Sequence, residues 1–134
     1  MIKHYYCKTV LLIDDNDIDN ALNEKLIRAS NFAEHVIIRQ TAKDALLFLK
    51  NDAISHQIPD IIILDITMPM GNGFEFLEAY EKLPDAILNQ SKIVMLTSSL
   101  DERDHKRANE NKLVKIVLNK PLSFETLEEL KNRL

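Results

Sequence analysis

The sequence predicts an α/β fold in which a five-stranded parallel sheet lies between layers of helices. Five short runs rich in Val, Ile and Leu recur along the chain, and most are nearly continuous rather than alternating, as in parallel strands buried on both faces. Amphipathic helical patterns separate these runs, and strands that alternate with helices favour right-handed crossovers and a three-layer sandwich. The five predicted strands are Thr9–Ile13, His35–Arg39, Asp60–Asp65, Lys92–Thr97 and Lys115–Asn119.

Three apolar stripes with helical spacing predict helices that pack on a core. The stripes are Ile18, Leu22, Leu26 and Ala29; Ala42, Ala45, Leu46 and Leu49; and Phe124, Leu127, Leu130 and Leu134. Two connections between elements, residues 51–59 and 83–91, look long, and both precede strands.

Capping residues stand where these helices are expected to begin. Asn16 or Asp17 can cap the first helix, and Thr41 with Asp44 comes close to a capping box. Ser99 and Glu102 form a full box before a helix predicted to begin near Leu100. Ser123 can cap the last helix, with Leu122 and Leu127 as its hydrophobic staple.

Length and composition indicate one folded domain. The chain has 134 residues, 46% of them hydrophobic, and its net charge of −4 argues against direct binding to nucleic acid. Cys7 is the one cysteine, so an intramolecular disulfide is excluded. No apolar run is long enough to span a membrane, the N-terminus lacks a signal-peptide pattern, and no lipidation motif is present. We therefore expect a cytoplasmic protein without membrane insertion.

Three carboxylates follow strands that are expected to be neighbours. Asp14 and Asp15 come directly after the first run, and Asp65 ends the third. The carboxyl ends of parallel strands converge in one crevice. Two such charges about 4 Å apart repel by about 4 kcal/mol at an effective dielectric of about 20. A bound hard cation such as Mg²⁺ would balance them and suit phosphate chemistry. The alternative is that Asp14 and Asp15 cap a helix and Asp65 is a turn residue.

Further polar residues follow the same strands. After Asp65, the segment Ile66–Glu75 contains Pro69 and two glycines, which predict a structured turn that holds a carboxylate able to attack phosphorus and form an acyl phosphate. Thr97 ends the fourth strand, and Lys120-Pro121, an X-Pro bond that can be cis, follows the fifth. When each is considered alone, Thr97 is interpreted as a turn residue at a strand end, and Lys120 is interpreted as a solvated surface charge.

Together, and in this order, these residues resemble the receiver domain of two-component response regulators. The combination is Asp14-Asp15, Asp65 with Met68-Pro69 and Gly73, Thr97, and Lys120-Pro121. The resemblance covers residues 8–134 and implies a flavodoxin-like, doubly wound sheet with strand order 2-1-3-4-5. It places an N-terminal extension at residues 1–8 and the receiver domain at 9–134.

The resemblance also implies a role for each site residue. Asp65 corresponds to the phosphoacceptor. Asp15, Asp65 and the backbone carbonyl of Thr67 correspond to direct Mg²⁺ ligands, and Asp14 to an acid that often binds the ion through water. Thr97 corresponds to the switch hydroxyl and Lys120 to the lysine that contacts the phosphoryl group. Val117 stands where many receivers have Tyr or Phe, and Thr67 borders the phosphoryl group and can tune its lifetime.

By this resemblance, a sensor histidine kinase or a phosphotransfer protein donates a phosphoryl group from phosphohistidine to Asp65. The protein then turns over no separate substrate and is not an enzyme in that sense. Its length leaves no room for an effector domain, so we expect output through a protein partner. The expected surface comprises the helix that begins near Leu100, the fifth strand and the last helix.

Two other functions remain open at this point. One is a receiver-like binding module that is never phosphorylated. The other is a haloacid-dehalogenase-type phosphatase with an aspartate nucleophile and Mg²⁺, although that class needs an acid where this chain has Thr67. A flavodoxin is disfavoured, because Asp14 and Asp15 would repel a phosphate where its hydroxyls and glycines would bind one.

Overall fold

The computed structural model describes residues 4–53, 57–66, 73–98 and 102–134, and its centre is a five-stranded parallel sheet. The strands are β1 (Cys7–Ile13), β2 (Ala33–Arg39), β3 (Ile61–Asp65), β4 (Lys92–Thr97) and β5 (Val114–Asn119). They lie in the order β2-β1-β3-β4-β5, and every neighbouring pair is parallel. The predicted fold class and strand order are confirmed.

The strand boundaries differ from the predicted ones by at most two residues. β4 begins and ends as predicted, whereas β1 starts at Cys7, whose N–H donates to the carbonyl of Phe32 at 3.0 Å. β2 starts two residues early for the same reason, because Cys7 pairs with Ala33 in the ladder. The apolar pattern missed this first pair because Cys7 and Lys8 do not extend the run of Val, Ile and Leu.

Helices cover both faces of the sheet. They are α1 (Asp17–Ala29), α2 (Ala42–Leu47), α3 (Gly73–Tyr80), α4 (Asp85–Gln90), α5 (Glu102–Glu110) and α6 (Phe124–Arg133), and α2 continues as a π-helical turn over Phe48–Asp52. α1 and α6 pack on one face through Ile27, Leu127 and Leu130. The other four helices pack on the opposite face. No helix within the described ranges is long and apolar enough to cross a membrane.

The continuous apolar runs follow from burial on both faces. In β1, Leu11 and Ile13 face the core under α2 and α3, whereas Val10 and Leu12 face the core under α1 and α6. All of β3 from Ile61 to Asp65 is buried. A central strand with helices on both sides leaves no solvent face, so its sequence does not alternate.

The predicted caps at Asn16, Thr41 and Ser123 are confirmed. The side chain of Asn16 accepts the N–H of Asp19 at 2.9 Å, and that of Thr41 accepts the N–H of Asp44 at 3.0 Å. Ser123 and Thr126 exchange side-chain and backbone hydrogen bonds in a full capping box. The predicted cap at Ser99 and the helix start near Leu100 lie outside the described residues.

Of the apolar stripe predicted for the first helix, Leu26 packs against the core, but Ile18 and Leu22 do not face it. Ile18 and Leu22 are 70% and 61% exposed, and the buried residues of α1 are Asn20 and Ile27. The amide nitrogen of Asn20 donates to the carbonyl of Asp14 at 2.8 Å, which turns this polar residue inward. Phe124, predicted in the last stripe, is also 55% exposed. Apolar periodicity fails here because a polar contact decides which face of α1 meets the sheet.

The connection at residues 83–91 contains the short helix α4, which the sequence did not predict. It has six residues and buries one of them, Ile87. A single buried position gives no helical periodicity, so pattern reasoning had nothing to detect.

Candidate functional site

The three predicted carboxylates meet at the carboxyl edge of the sheet. β1 and β3 are neighbours, and Ile13 pairs with Leu64, so the residues that follow, Asp14 and Asp65, lie side by side. Oxygen atoms of Asp14, Asp15 and Asp65 all lie within 4.8 Å of one another. Asp14 and Asp65 are buried, at 5% and 6% exposure, and Asp15 is exposed. Two buried acids and one accessible acid thus share one pocket.

Asp14 is held from both sides. One carboxylate oxygen accepts the N–H of Asn16 at 3.0 Å, and the other accepts a hydrogen bond from Lys120 at 3.1 Å. Its own N–H donates to the carbonyl of Arg39 at 3.2 Å. The helix cap is the side chain of Asn16, so the interpretation of Asp14 and Asp15 as simple caps of α1 is wrong.

Lys120 reaches from the end of β5 into the acidic cluster. Its Nζ donates to Asp14 at 3.1 Å, to Asp65 at 3.2 Å and to Asp19 at 3.3 Å. Its side chain is 19% exposed, so the interpretation as a solvated surface charge is wrong. The peptide bond between Lys120 and Pro121 is cis.

The charge on Lys120 is set by its partners. Burial alone would lower the pKa of this ammonium group, but the hydrogen bond to Asp14 and the charges of Asp65 and Asp14 outweigh it. The pKa is therefore raised above its ordinary value of 10.5. Among the residues that the structure describes, the charged Lys120 thus faces four carboxylates, those of Asp14, Asp15, Asp19 and Asp65.

Thr97 lies at the end of β4, next to the position that pairs with Asp65. Asp65 pairs with Leu96, and Thr97 follows at 1% exposure. The carbonyl of Thr97 accepts the N–H of Lys120 at 2.9 Å, which joins the ends of β4 and β5. Val117 pairs with Met95 in the same ladder and is half-buried. A displacement at Thr97 would therefore reach β5 through the backbone.

Gly73 permits a close approach beside Asp65. A Cβ atom at this position would lie 2.8 Å from the carbonyl oxygen of Asp65 and 2.9 Å from the Cε of Met95. The N–H of Gly73 donates to the carbonyl of Ile66 at 2.9 Å, which joins the start of α3 to the residue after β3. The predicted ligand Thr67 and the segment 68–72 lie outside the described residues.

Asp19 and Asn20 are site residues that the sequence patterns did not reveal. Asp19 is an ion partner of Lys120, and Asn20 donates to the backbone of Asp14. The available signal was the spacing. The third residue of a helix lies in its first turn, beside the chain that enters the helix. The apolar stripe predicted for this helix includes Ile18, which lies in the same turn.

The donor set of the pocket suits a hard divalent cation. The three clustered groups are carboxylates, and oxygen ligands favour Mg²⁺, Mn²⁺ or Ca²⁺ over softer metals. The nearby ammonium group cannot ligate a metal, but it attracts anions. The arrangement therefore combines a cation site, a buried carboxylate and a positive charge around one point.

Comparison with known proteins agrees with this geometry. A family model described as the response regulator receiver domain matches residues 10–132. Response regulator Rcp1 from Synechocystis sp. is 29% identical over 99 residues, which are 72% of this chain and 66% of that protein. The chain thus spans slightly under two thirds of the length of this relative.

Solved structures show the same fold. A two-component response regulator from Cytophaga hutchinsonii superposes with a TM-score of 0.84 and 34% identity, covering 93% of this chain and 94% of that one. The Mn(2+)-bound form of Rcp1 superposes with a TM-score of 0.71 and 28% identity, covering 92% and 88% of the two chains. That second structure is of a protein that binds a hard divalent metal.

Proposed function

This chain belongs to the response regulator receiver family, and we propose that Asp65 accepts its phosphoryl group. The observation that carries the proposal is the position of Asp65. Its carboxylate is buried at the end of β3, 3.2 Å from the Nζ of Lys120 and within 4.8 Å of two further acids. A carboxylate placed between a cation site and a fixed ammonium is suited to attack phosphorus.

The proposed transfer is a single displacement at phosphorus. An oxygen of Asp65 forms a bond to the phosphorus of a phosphohistidine, and the phosphorus–nitrogen bond breaks. Its electron pair returns to the imidazole, which takes a proton from water. The product is an acyl phosphate on Asp65. Lys120 contributes a compact positive charge to one phosphoryl oxygen, and the hydroxyl of Thr97 donates a hydrogen bond to another.

Asp14, Asp15 and Asp65 are the residues that would hold Mg²⁺, with the carbonyl of Thr67 as a predicted fourth ligand. The all-oxygen cluster supports this assignment, as does the Mn(2+)-bound form of Rcp1. Bound Mg²⁺ supplies charge neutralisation for the phosphoryl oxygens. Asp15 is exposed and makes no ion pair with the described residues, so it can bind the ion without giving up a protein partner.

The phosphodonor is a histidine kinase or a phosphotransfer protein that docks beside the pocket. Ile18 and Leu22 are exposed on one face of α1, and Leu22 lines a groove that continues to Lys120 and Pro121. Phe124, at the start of α6, is exposed two residues after Leu122, which also lines this groove. Large exposed apolar side chains beside a reactive site are typical of a protein interface.

Output passes to a protein partner through the face made by α5, β5 and α6, and the protein turns over no separate substrate. The hydrogen bond from the N–H of Lys120 to the carbonyl of Thr97 supports this route, because it joins the phosphoryl pocket to β5. Hydrolysis of the acyl phosphate returns the protein to its resting state.

Intact-mass spectrometry after incubation with acetyl phosphate and Mg²⁺ tests the proposal. We expect one labile phosphoryl adduct in the wild type and none in Asp65→Asn. An adduct of equal level in Asp65→Asn would contradict the assignment. Complete absence of the adduct in the wild type would instead favour a binding module, and multiple turnover of a phosphomonoester would favour a phosphatase.

A further inference from the structure

The ammonium group of Lys120 is shared among three carboxylates, one of which the phosphoryl chemistry does not require. Asp14 and Asp65 belong to the acidic cluster, whereas Asp19 comes from the first turn of α1. An ammonium group has three N–H donors, and three carboxylate oxygens lie 3.1–3.3 Å from it. A phosphoryl oxygen on Asp65 therefore meets a lysine whose donors are already engaged.

Asp19 is the partner that Lys120 can release at the smallest cost. Its side chain is 40% exposed, compared with 6% for Asp14 and 7% for Asp65. Water can solvate Asp19 when the lysine moves away, whereas the two buried acids would lose this ion pair with little access to water.

The local structure directs Asp19 towards Lys120. An acid at the third position of a helix commonly reaches back to the N–H of the cap residue. Here the N–H of the cap residue Asn16 already donates to Asp14 at 3.0 Å. The backbone N–H of Asp19 is itself held by the side chain of Asn16 at 2.9 Å. The Asp19 carboxylate therefore does not cap α1 through this N–H and is available to Lys120.

From these contacts we infer that Asp19 is a positioning residue that holds Lys120 in its resting position and competes with the phosphoryl group for it. This inference rests on the proposed function of Asp65. Phosphorylation must break the contact between Asp19 and Lys120, so the contact favours the unphosphorylated state. Removing the charge of Asp19 should strengthen binding of a phosphoryl group to the pocket.

Asp17 provides a matched control. It lies in the same first turn of α1 and carries the same charge, but its carboxylate accepts a hydrogen bond from Gln40 and makes no ion pair with Lys120. Asp17→Asn and Asp19→Asn thus change the net charge and the helix terminus equally. A difference between the two variants reports the contact with Lys120.

The experiment measures the affinity of beryllium fluoride, a phosphoryl mimic, by amide NMR at saturating Mg²⁺. Relative to Asp17→Asn, we expect Asp19→Asn to bind the mimic about two- to fivefold more tightly, the range of a partly exposed ion pair. The affinity for Mg²⁺ alone should be equal in the two variants. Asp19→Glu, which keeps the charge, should bind the mimic more weakly than Asp19→Asn, with an affinity close to that of the wild type. In a Lys120→Met background the two asparagine variants should bind equally.

Equal affinities of Asp17→Asn and Asp19→Asn for the mimic would overturn the inference, since the effect would then be one of general charge. Weaker binding by Asp19→Asn would also overturn it, because Asp19 would then hold Lys120 in a productive position. A persisting difference in the Lys120→Met background would show that Asp19 acts through another residue. If the wild type binds no mimic at all, the proposed function of Asp65 is itself contradicted, and the inference that rests on it fails as well.

Discussion

One aspartate stands at each end of β3, Asp60 just before the strand and Asp65 as its last residue, and their surroundings differ in kind. One Asp60 oxygen accepts the N–H groups of Lys8 and Thr9 at 3.0 and 3.1 Å, and the other accepts the Gln90 amide at 3.3 Å. Asp65 faces the carboxylates of Asp14 and Asp15 and the ammonium of Lys120. Peptide and amide groups balance the first charge, whereas two like charges and one ammonium group surround the second.

This difference indicates that the two edges of the parallel sheet have different roles, the amino edge in stability and the carboxyl edge in the proposed chemistry. At the amino edge, Asp60 joins three segments of chain, because its own N–H also donates to Thr9 and its carbonyl accepts the N–H of Lys92. At the carboxyl edge, the ends of β1, β3 and β5 bring Asp14, Asp65 and Lys120 together in one cluster of charges. The residue type is the same at both ends, so its neighbours decide whether it stabilises the fold or suits the proposed reaction.

The largest expected effect concerns the lysines at the two edges. Lys120→Met keeps much of the apolar stem but removes the charge, so the phosphoryl group loses a contact that forms only in the active state. We expect beryllium fluoride to shift amide signals over residues 98–109 in the wild type, with little change at Val117, and to lose most of that effect in Lys120→Met. Lys92→Met, at the exposed start of β4, should respond like the wild type.

Amide shifts confined to the immediate contacts of the mimic in the wild type would mean that the signal leaves by another face. A large shift at Val117 would contradict the expectation that the switch works here without a rotating aromatic ring. Valine is small and stiff about its one side-chain torsion, so it cannot make that movement.

Mg²⁺ should stabilise the carboxyl edge and have no effect at the amino edge. A ligand that binds the folded state alone contributes about 2.7 kcal/mol at a concentration 100 times its dissociation constant. We expect the melting temperature of the wild type to rise with Mg²⁺, and Asp15→Ala to lose most of this rise. Asp60→Ala should retain it in full. No change in the wild-type melting temperature across the titration would count against the metal site.

Asp60→Ala should lower the free energy of unfolding by about 1–3 kcal/mol, because it leaves two backbone N–H groups without their acceptor. Asp65→Asn, measured without divalent metal, should lower it by less, since it also relieves repulsion within the acidic cluster. Urea unfolding of both variants in EDTA checks this contrast. A larger loss in Asp65→Asn than in Asp60→Ala would reverse the roles assigned to the two edges.

The smallest effect concerns Cys7, beside Asp60. Burial and then the charge of Asp60 raise the pKa of this thiol from 9.0 to about 12. A raised pKa means that folding favours the protonated thiol, so this stabilising contribution holds below pH 9 and is lost as the pH rises towards 12. We expect native Cys7 to react with iodoacetamide more slowly than in urea at pH 8.5, and Asp60→Ala to increase the native rate slightly. Equal native and unfolded rates would contradict this.

The apolar runs made the fold predictable from sequence, and the polar residues at their ends made most of the site predictable. Continuous apolar runs mark buried parallel strands, and Asp14, Asp65 and Lys120 stand directly after them. Asp19 was missed because its partner lies 101 positions away. Its place in the first turn of α1 could have indicated a position near the pocket, but it does not identify Lys120 as the partner. The predicted orientation of α1 was wrong because Asn20 faces inward, where its side chain donates to the carbonyl of Asp14. The spacing of apolar side chains gives no information about such a hydrogen bond to the backbone.

The most direct test of the account maps the phosphoryl group to one end of β3. The protein is treated with acetyl phosphate and Mg²⁺, the acyl phosphate is reduced with borohydride to homoserine, and the peptide containing residues 60–65 is sequenced by mass spectrometry. We expect homoserine at position 65, aspartate at position 60, and loss of the signal when Mg²⁺ is replaced by EDTA. Homoserine at position 60, or at neither position in a protein that carries the adduct, would contradict the assignment of Asp65.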